Sequence, residues 1–232
     1  MGTSVFKRVE QKYILNKEQY ESLQDIINKK FNKDMYYESK IYNIYFDNDN
    51  NDMIINSIEK PIYKEKIRLR SYNSAKHKDD IVYLEMKQKY KHVVYKRRIM
   101  MTLLEYDNYI NRGIISIKDG QIMKEIDYYI KYYNVHPYIC VFYDRLSYSG
   151  IEDSNLRVTL DSNLRYRLCD LGLDDNKKDK KYFDKEMYIM EVKSMNSLPI
   201  WFVDILSKNK IYPCSFSKVG NIYMKERENK KC

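Results

Sequence analysis

Charged side chains recur two residues apart along segments that alternate between apolar and polar residues. One such segment carries Lys66, Arg68 and Arg70 on one face, and another carries Glu85 and Lys87. Because successive side chains of a strand point to opposite faces, this spacing places acid and base side by side. Arginine offers paired contacts to phosphate, and carboxylates bind divalent cations. The pattern therefore points to metal-assisted chemistry on phosphate groups.

Arginines concentrate in these alternating segments. The chain has 42 Lys and Arg residues against 33 Asp and Glu residues, a net charge of +9, and lysine is spread over all of it. Nine of the 11 arginines lie in strand-like segments: Arg8, Arg68, Arg70, Arg97, Arg98, Arg145, Arg157, Arg165 and Arg167. Arginine is favoured where phosphate or carboxylate is bound by two parallel hydrogen bonds. The alternative is an antiparallel sheet whose charged face lies in water.

Period-two alternation is the dominant local pattern. It predicts strands over 6–14, 41–47, 63–71, 81–89, 93–101, 138–145, 155–161, 163–167 and 187–193. In the fifth of these, Lys96 and Arg98 share the charged face, with Tyr95 and Arg97 as the alternative register. Helical spacing and capping residues predict helices over 17–30, 103–111, 121–133, 198–209 and 216–227.

These elements predict an α+β fold, in which helices pack outside a large antiparallel sheet. Neither an internal repeat nor a domain boundary stands out, so we expect a single domain over residues 1–232. Residues 170–186 form a charged stretch that we expect to be a mobile loop.

Composition excludes several classes of protein. Hydrophobic residues make up 44% of the chain and aromatic residues 14%, enough for a packed core and too much for global disorder. No apolar run approaches the ~20 residues of a membrane span. The first residues also lack the apolar region of a secretory signal. We therefore expect a soluble, cytoplasmic protein with no membrane span in this chain.

Metal-binding and Gly-rich motifs are absent from the sequence. Its four cysteines are far apart and its three histidines are scattered, which argues against a zinc site. A catalytic pairing of cysteine and histidine stays open, although no local motif supports one. The glycine-rich loops that cradle phosphates are missing, so any phosphate site must use side chains.

If the sheet curls so that its charged faces line an interior, about ten cations meet there with a few carboxylates. Removing these cations from water has a high free-energy cost unless anions fill the space. A chain of phosphates suits these cations, and the glutamates can then hold a divalent metal that bridges phosphate oxygens. Nucleic acid is the rival polyanion, but its binding sites usually have aromatic stacking platforms and an open groove.

Ten short motifs follow one another in a characteristic order. They are R-x-E-x-K at 8–12, Y-x-x-Y-F-D at 42–47, K-x-R-x-R at 66–70, L-E-x-K at 84–87, Y-K-R-R at 95–98, Y-D-R at 143–145, L-R-V-T-L-D at 156–161, M-E-V-K at 190–193, L-P-x-W at 198–201 and S-F-S-K at 215–218. With them the chain resembles the VTC-type (vacuolar transporter chaperone) polyphosphate polymerase domain. That family is a branch of the CYTH, or triphosphate tunnel metalloenzyme, superfamily.

The resemblance implies an antiparallel eight-stranded β-barrel tunnel with helices packed outside. It also implies transfer of the γ-phosphate of ATP, or of another nucleoside triphosphate, onto inorganic polyphosphate or triphosphate, with Mn²⁺ or Mg²⁺ as cofactor. No specific nucleic acid partner is implied.

The resemblance also assigns roles to residues of the charged segments. The expected catalytic cations are Arg68, Arg70, Lys87, Arg145, Arg157 and Lys193. The expected substrate-binding residues are Arg8, Lys12, Lys66, Lys96, Arg98, Tyr143 and Lys218. Glu191 is the expected main metal ligand. Glu10 and Glu85 are either secondary metal ligands or salt-bridge partners of Lys12 and Lys87.

Two positions depart from the superfamily patterns. Arg8 replaces the first glutamate of the E-x-E-x-K motif that is usual in hydrolytic and cyclase members, which favours the polymerase branch. Ser215 occupies a position where the polymerase pattern often has a lysine. A metal-dependent tripolyphosphatase or nucleoside triphosphatase, a non-catalytic polyphosphate- or nucleotide-binding module and an RNA-binding domain remain the alternatives.

Overall fold

The computed structural model describes residues 8–59, 61–91, 93–115, 120–176, 178–195 and 197–229, and only the backbone of Arg8. Their elements are β1 (Arg8–Asn16), α1 (Lys17–Lys30), β2 (Phe31–Asp47), α2 (Asp52–Glu59), β3 (Tyr63–Ser71), β4 (Ile81–Tyr90), β5 (Val93–Thr102), α3 (Leu103–Arg112), α4 (Gly120–Tyr132), β6 (His136–Gly150), β7 (Arg157–Arg167), β8 (Lys180–Lys181), β9 (Met187–Met195), α5 (Ile200–Lys208) and α6 (Lys218–Asn229). None of the helices is long and apolar enough to cross a membrane within these described ranges.

Most predicted elements are present, and their differences have local causes. Helix α1 has the predicted bounds and begins at a capping box formed by Asn16 and Gln19. The two strands predicted around residue 162 are one strand, β7, which passes through Asn163 with a positive φ of 51°. Helix α2 was not predicted because it is short and follows an Asn- and Asp-rich turn. The Asp47 carboxylate accepts hydrogen bonds from the backbone N–H groups of Met53 and Ile54 at its start, both at 2.9 Å.

The strands form a sheet in the order β1-β9-β7-β6-β2-β3-β4-β5, and β8 pairs with β7. The described registers are antiparallel. Strands β1 and β5 are the two ends of this hydrogen-bonded path. The predicted α+β class, an antiparallel sheet with helices, is therefore confirmed.

Contacts group the chain into two compact units. Unit one comprises residues 1–39, 143–164 and 183–216. In it, side chains of α1 and α5 pack on the apolar residues of β1, β7 and β9. The buried core of this unit includes Leu15, Leu23, Val158, Leu160, Val192 and Phe202.

Unit two comprises residues 40–142, 165–182 and 217–232. Helices α3 and α4 contact β5, and α2 contacts both β3 and α6. The buried core of this unit includes Ile44, Ile67, Leu84, Ile99, Tyr106 and Ile126. Each unit therefore has a hydrophobic core of its own, and the single domain over residues 1–232 stays a prediction.

The stretch expected to be a mobile loop makes specific contacts in unit two. Leu173 is buried, and its carbonyl accepts a hydrogen bond from the Ala75 N–H at 2.8 Å. The buried guanidinium of Arg167 donates to Asp174 at 2.9 Å and to Asp179 at 3.0 Å. These contacts attach part of the stretch to unit two, and its mobility stays a prediction. The sequence pattern could not show them, because it does not reveal that these aspartates meet the arginines of β7.

Candidate functional site

Strands β3, β4 and β5 form the charged face of unit two. Ile67, Leu84 and Ile99 lie in the core, so their sequence neighbours point to the other side of the sheet. Glu85 is the only acidic residue of these three strands on that side. The predicted site cations on the same side are Lys66, Arg68, Arg70, Lys87, Lys96 and Arg98.

Glu85 is the centre of this face, and its side chain is only 2% exposed. Its Oε2 accepts a hydrogen bond from Arg68 Nε at 2.7 Å, and its Oε1 accepts from Arg98 Nε at 2.6 Å. The ammonium group of Lys96 lies 2.8 Å from Oε1. Burial raises the pKa of Glu85, but the charges of Arg68 and Arg70 and the bond from Lys96 outweigh it and lower this pKa to about 2. The geometry favours the salt-bridge role over the metal-ligand role, with Arg68, Lys96 and Arg98 as partners.

The strand register separates Arg97 from Arg98. Arg98 lies opposite Glu85, whereas Arg97 lies opposite Met86 on the core side. There Arg97 Nε donates to Glu125 Oε2 of α4 at 3.0 Å. The strand pairing thus places Lys96 and Arg98 on the charged face and excludes the alternative register.

Three tyrosines that were not predicted surround these cations. Arg68 Nη1 donates a hydrogen bond to Tyr45 Oη at 3.3 Å, and Arg98 Nη2 donates to Tyr72 Oη. The Arg98 guanidinium also lies 4.3 Å from the ring centroid of Tyr83. Burial raises the pKa of Tyr45, but nearby Arg68, Arg70 and Lys66 lower it to about 7. The alternation of the Y-x-x-Y-F-D motif was the available signal, because it places Tyr45 opposite the apolar face.

Neutral groups hold two further cations of unit two. Arg70 Nε donates to the buried Asn43 at 2.8 Å, and Asn43 in turn donates to the Val141 carbonyl at 3.0 Å. Lys66 Nζ donates to Ser217 Oγ at 3.4 Å, just before α6. Lys218 is the first residue of α6 and is half-buried, and Lys87 is exposed.

Unit one has a half-buried carboxylate, Glu191, among cations. Glu191 Oε1 lies 2.6 Å from Lys193 Nζ, and Glu191 Oε2 lies 3.9 Å from Lys12 Nζ. Lys12 Nζ also donates to the Phe216 carbonyl at 3.1 Å. Burial raises the pKa of Glu191, but Lys193, Lys12 and Arg145 outweigh it and lower this pKa to about 2. Glu191 is therefore a carboxylate at neutral pH.

Arg145 is fixed on the same face of unit one. Its Nε and Nη2 donate to the two carboxylate oxygens of the buried Asp161 at 2.6 and 2.8 Å. The guanidinium lies 5.2 Å from the ring centroid of the buried Tyr143. Burial lowers the pKa of Arg145, but Asp161 and Tyr143 outweigh it and raise this pKa well above its usual value. Asp161 is the last residue of the L-R-V-T-L-D motif, but its pairing with Arg145 was not predicted.

The remaining predicted residues of unit one lie nearer to solvent. Arg157 is exposed and donates to Asp34 at 3.2 Å. Glu10 is exposed and lies opposite Lys193 in the register of β1 and β9. The backbone of Arg8 pairs with Met195, but the Arg8 side chain lies outside the described residues.

The side chains that could donate ligands show whether a metal ion fits near Glu191. No group of three or more His, Cys, Asp or Glu side chains in the described part of the chain could hold a metal ion. Across the strands from Glu191, Thr159 has a buried hydroxyl with no hydrogen-bond partner among the described residues. Mg²⁺ is usually bound by one or two carboxylates together with substrate phosphates and water. The residues around Glu191 fit an ion of that kind, whose other ligands come with the substrate.

A comparison with known protein families shows to which family the chain belongs. The family model described as VTC domain matches residues 7–225. The chain belongs to the VTC domain family. This VTC domain is 24% identical over 226 residues to Vacuolar transporter chaperone complex subunit 4 of Schizosaccharomyces pombe. The match covers 79% of the chain and 31% of that relative, so the chain spans about a third of the relative's length.

Solved structures align with this VTC domain. The crystal structure of a proposed adenylate cyclase from Bacillus halodurans aligns with a TM-score of 0.56 and 15% identity, covering 91% of this chain and 95% of that chain. The PH1819 protein from Pyrococcus horikoshii aligns with a TM-score of 0.48 and 13% identity, covering 94% and 99% of the two chains. The first likeness confirms the fold class and carries no information on activity.

Proposed function

We propose that this VTC domain is an ATP-dependent polyphosphate polymerase. It transfers the γ-phosphate of ATP, or of another nucleoside triphosphate, onto a polyphosphate chain inside a basic tunnel. The observation that supports this best is the charged face of unit two, where six predicted site cations accompany one buried carboxylate. Such an excess of positive charge on adjacent strands is costly without bound anions, and a polyphosphate chain supplies them at matching density.

The reaction needs positioning and charge stabilisation more than covalent chemistry. The terminal phosphate oxygen of the polyphosphate attacks the γ-phosphorus of ATP, a new P–O bond forms, and the bond to the β-phosphate oxygen breaks to release ADP. Arg68 and Arg98 suit this role because Glu85 holds both guanidinium groups in fixed orientations. Pre-oriented donors of this kind stabilise charge on the transferred phosphoryl group.

The protonation states favour phosphate over water as the acceptor. A water nucleophile needs a proton acceptor, whereas a terminal phosphate is already anionic near neutral pH. The carboxylates of Glu85 and Glu191 have pKa values lowered to about 2, so they are weak bases. These two carboxylates therefore do not supply the base that the tripolyphosphatase alternative would need.

Glu191 is the residue that would hold the divalent ion, Mn²⁺ or Mg²⁺, together with substrate phosphates. When bound, such an ion neutralises charge on phosphate oxygens. The unpartnered hydroxyl of Thr159 supplies a further donor beside Glu191 for a phosphate oxygen.

The test is to incubate the pure protein with ATP and Mn²⁺ or Mg²⁺ and analyse all products. A gel stained for polyphosphate, an ADP assay and a free-phosphate assay are run on the same samples. Long chains with matching ADP support the polymerase. Free phosphate without chains moves the protein to the hydrolases, and tight tripolyphosphate binding without turnover under either metal moves it to the binding modules.

A further inference from the structure

The phenol of Tyr45 lies among the cations of unit two that the proposed function assigns to phosphate. The register of β2 and β3 places Tyr45 opposite Arg68. Arg68 Nη1 donates a hydrogen bond to the phenolic oxygen at 3.3 Å, and the guanidinium carbon is 5.9 Å from the ring centroid. Tyr45 thus contacts one of the arginines expected to bind the phosphate chain.

Among the contacts that the structure describes, cations outnumber acids around Tyr45. On β3, the cations acting on its phenol are Lys66, Arg68 and Arg70. On β4, the nearby acid is Glu85, which forms ion pairs with Arg68 and also with Arg98 and Lys96 of β5. On β2 itself, Asn43 on the same face contacts Arg70 and is uncharged. The carboxylate of Asp47, two residues beyond Tyr45, accepts hydrogen bonds from the first turn of α2.

We propose that Tyr45 is the exchangeable counter-ion of the cluster formed by Lys66, Arg68 and Arg70. Its phenolate balances these cations while no phosphate is bound, and an arriving phosphate replaces the phenolate, which takes up one proton from solvent and becomes a phenol. This inference rests on the proposed function, because it requires phosphate to bind to this cluster.

Phosphate binding is then coupled to proton uptake. Burial raises the pKa of Tyr45, but the three cations lower it to about 7 in the free protein. Once phosphate neutralises the cations, the pKa returns toward the ~10 of an ordinary tyrosine. Linkage gives an uptake of about 0.5 proton at pH 7 and about 0.9 at pH 8. The affinity for phosphate therefore falls above pH 7, by up to about tenfold per pH unit.

The first experiment follows tyrosinate absorbance near neutral pH, where ordinary tyrosines are protonated. Wild-type protein is titrated with and without tripolyphosphate, in parallel with Tyr45→Phe. Tyr72→Phe is included because burial raises the pKa of Tyr72 but Arg98 and Arg70 outweigh it and lower this pKa. Tyr138→Phe is the control, because burial raises its pKa. We expect a transition near pH 7 that tripolyphosphate removes and that Tyr45→Phe lacks.

The wild-type titration tests the inference even if a variant does not fold. A transition near pH 7 that tripolyphosphate leaves unchanged overturns it. So does a transition that persists in folded Tyr45→Phe or disappears only in Tyr72→Phe.

The second experiment measures tripolyphosphate binding by calorimetry, without added metal, in buffers of different ionisation enthalpy at pH 7 and 8. Wild type is expected to take up more protons than Tyr45→Phe by about 0.5 at pH 7 and about 0.9 at pH 8. Protons bound by the ligand itself are common to both proteins and cancel. Equal uptake in the two proteins overturns the inference alone, whereas no binding to wild type, either here or after Mn²⁺ or Mg²⁺ is added, overturns the proposed function as well.

Discussion

At the scale of single residues, each unit contains a predicted metal-binding glutamate, at most 13% exposed, whose negative charge is stabilised by neighbouring cations. In unit two this residue is Glu85, with Arg68, Lys96 and Arg98 around it. In unit one it is Glu191, with Lys193 at 2.6 Å. Glu85 is saturated by side chains, whereas an unpartnered hydroxyl lies across the strands from Glu191. This difference is why we assign the metal to Glu191 alone.

Glu85→Gln is expected to destabilise the protein at pH 7. The substitution leaves three cations without their shared carboxylate, and removing one partner of a buried ion pair costs about 3 kcal/mol or more. Urea unfolding at pH 7, monitored by circular dichroism, measures the loss. A loss below about 1 kcal/mol, as for an exposed pair, would contradict the assigned role.

The pH dependence gives a further check on the same variant. The pKa of Glu85 is lowered from 4.5 to about 2, so its stabilising effect is fully present above pH 4.5 and is lost as the pH falls toward 2. Glu85→Gln should therefore lose less stability than wild type over this acid range. Parallel curves for the two proteins would contradict the lowered pKa.

Glu191→Gln is expected to raise the Mn²⁺ or Mg²⁺ concentration needed for half-maximal turnover by about tenfold or more, because an amide is a weaker ligand for a hard cation than a carboxylate. Glu186→Gln is the matched control, since Glu186 is exposed and pairs with Lys17 at the surface. Metal titrations of turnover compare the three proteins. An unchanged metal requirement in Glu191→Gln would remove Glu191 as the principal ligand.

At the scale of elements, strand alternation places two adjacent arginines on opposite sides of the sheet, where each pairs with a different acid. Arg97 and Arg98 are neighbours in β5, but Arg98 pairs with Glu85 on the charged face and Arg97 pairs with Glu125 of α4. The period of two along a strand is sufficient to separate them. The same rule separates the core residues of β3 and β4 from the cations between them.

Arg98→Ala should lower kcat/KM for ATP by about a hundredfold, the usual cost of removing one oriented donor to a transition state. Arg97→Ala is the matched control from the same strand, and its activity should stay within about threefold of wild type because Arg97 lies on the core side. Steady-state ADP release measures both, with circular dichroism to confirm folding. Equal losses in the two variants would contradict the assignment of the charged face.

At the scale of the whole molecule, the net charge of +9 favours polyanions of any kind. Lysine and arginine side chains held in a fixed geometry select a particular spacing of phosphates. They therefore give a preference for a short phosphate chain that net charge alone does not give. The RNA-binding alternative predicts instead that the protein prefers RNA to tripolyphosphate.

Tripolyphosphate at about a hundred times its Kd should stabilise the folded protein by about 2.7 kcal/mol. For a chain of this length, that corresponds to a rise in Tm of about 5 to 10 °C. Thermal unfolding with tripolyphosphate, with sulfate at equal ionic strength and with single-stranded RNA measures the effect. Stabilisation by RNA that tripolyphosphate does not displace would favour the nucleic acid alternative.

Much of the fold could be predicted from sequence because its signals are local. The bounds of α1 and β3 follow from capping and alternation within each segment. Helix α2 escaped prediction because its start depends on Asp47, which precedes it by five residues across a turn. The contacts of residues 170–186 also escaped, since they join this stretch to Arg167 in β7.

The sequence by itself determined which side chains share a face, since the period of a strand is a property of the local backbone. That was enough to place Lys66, Arg68 and Arg70 together. Only the tertiary structure decided which partner each charge meets, because cross-strand neighbours depend on register between distant segments. Sequence spacing suggested Lys87 as the partner of Glu85, and only the strand pairing shows that Arg68 of β3 and Arg98 of β5 also meet Glu85.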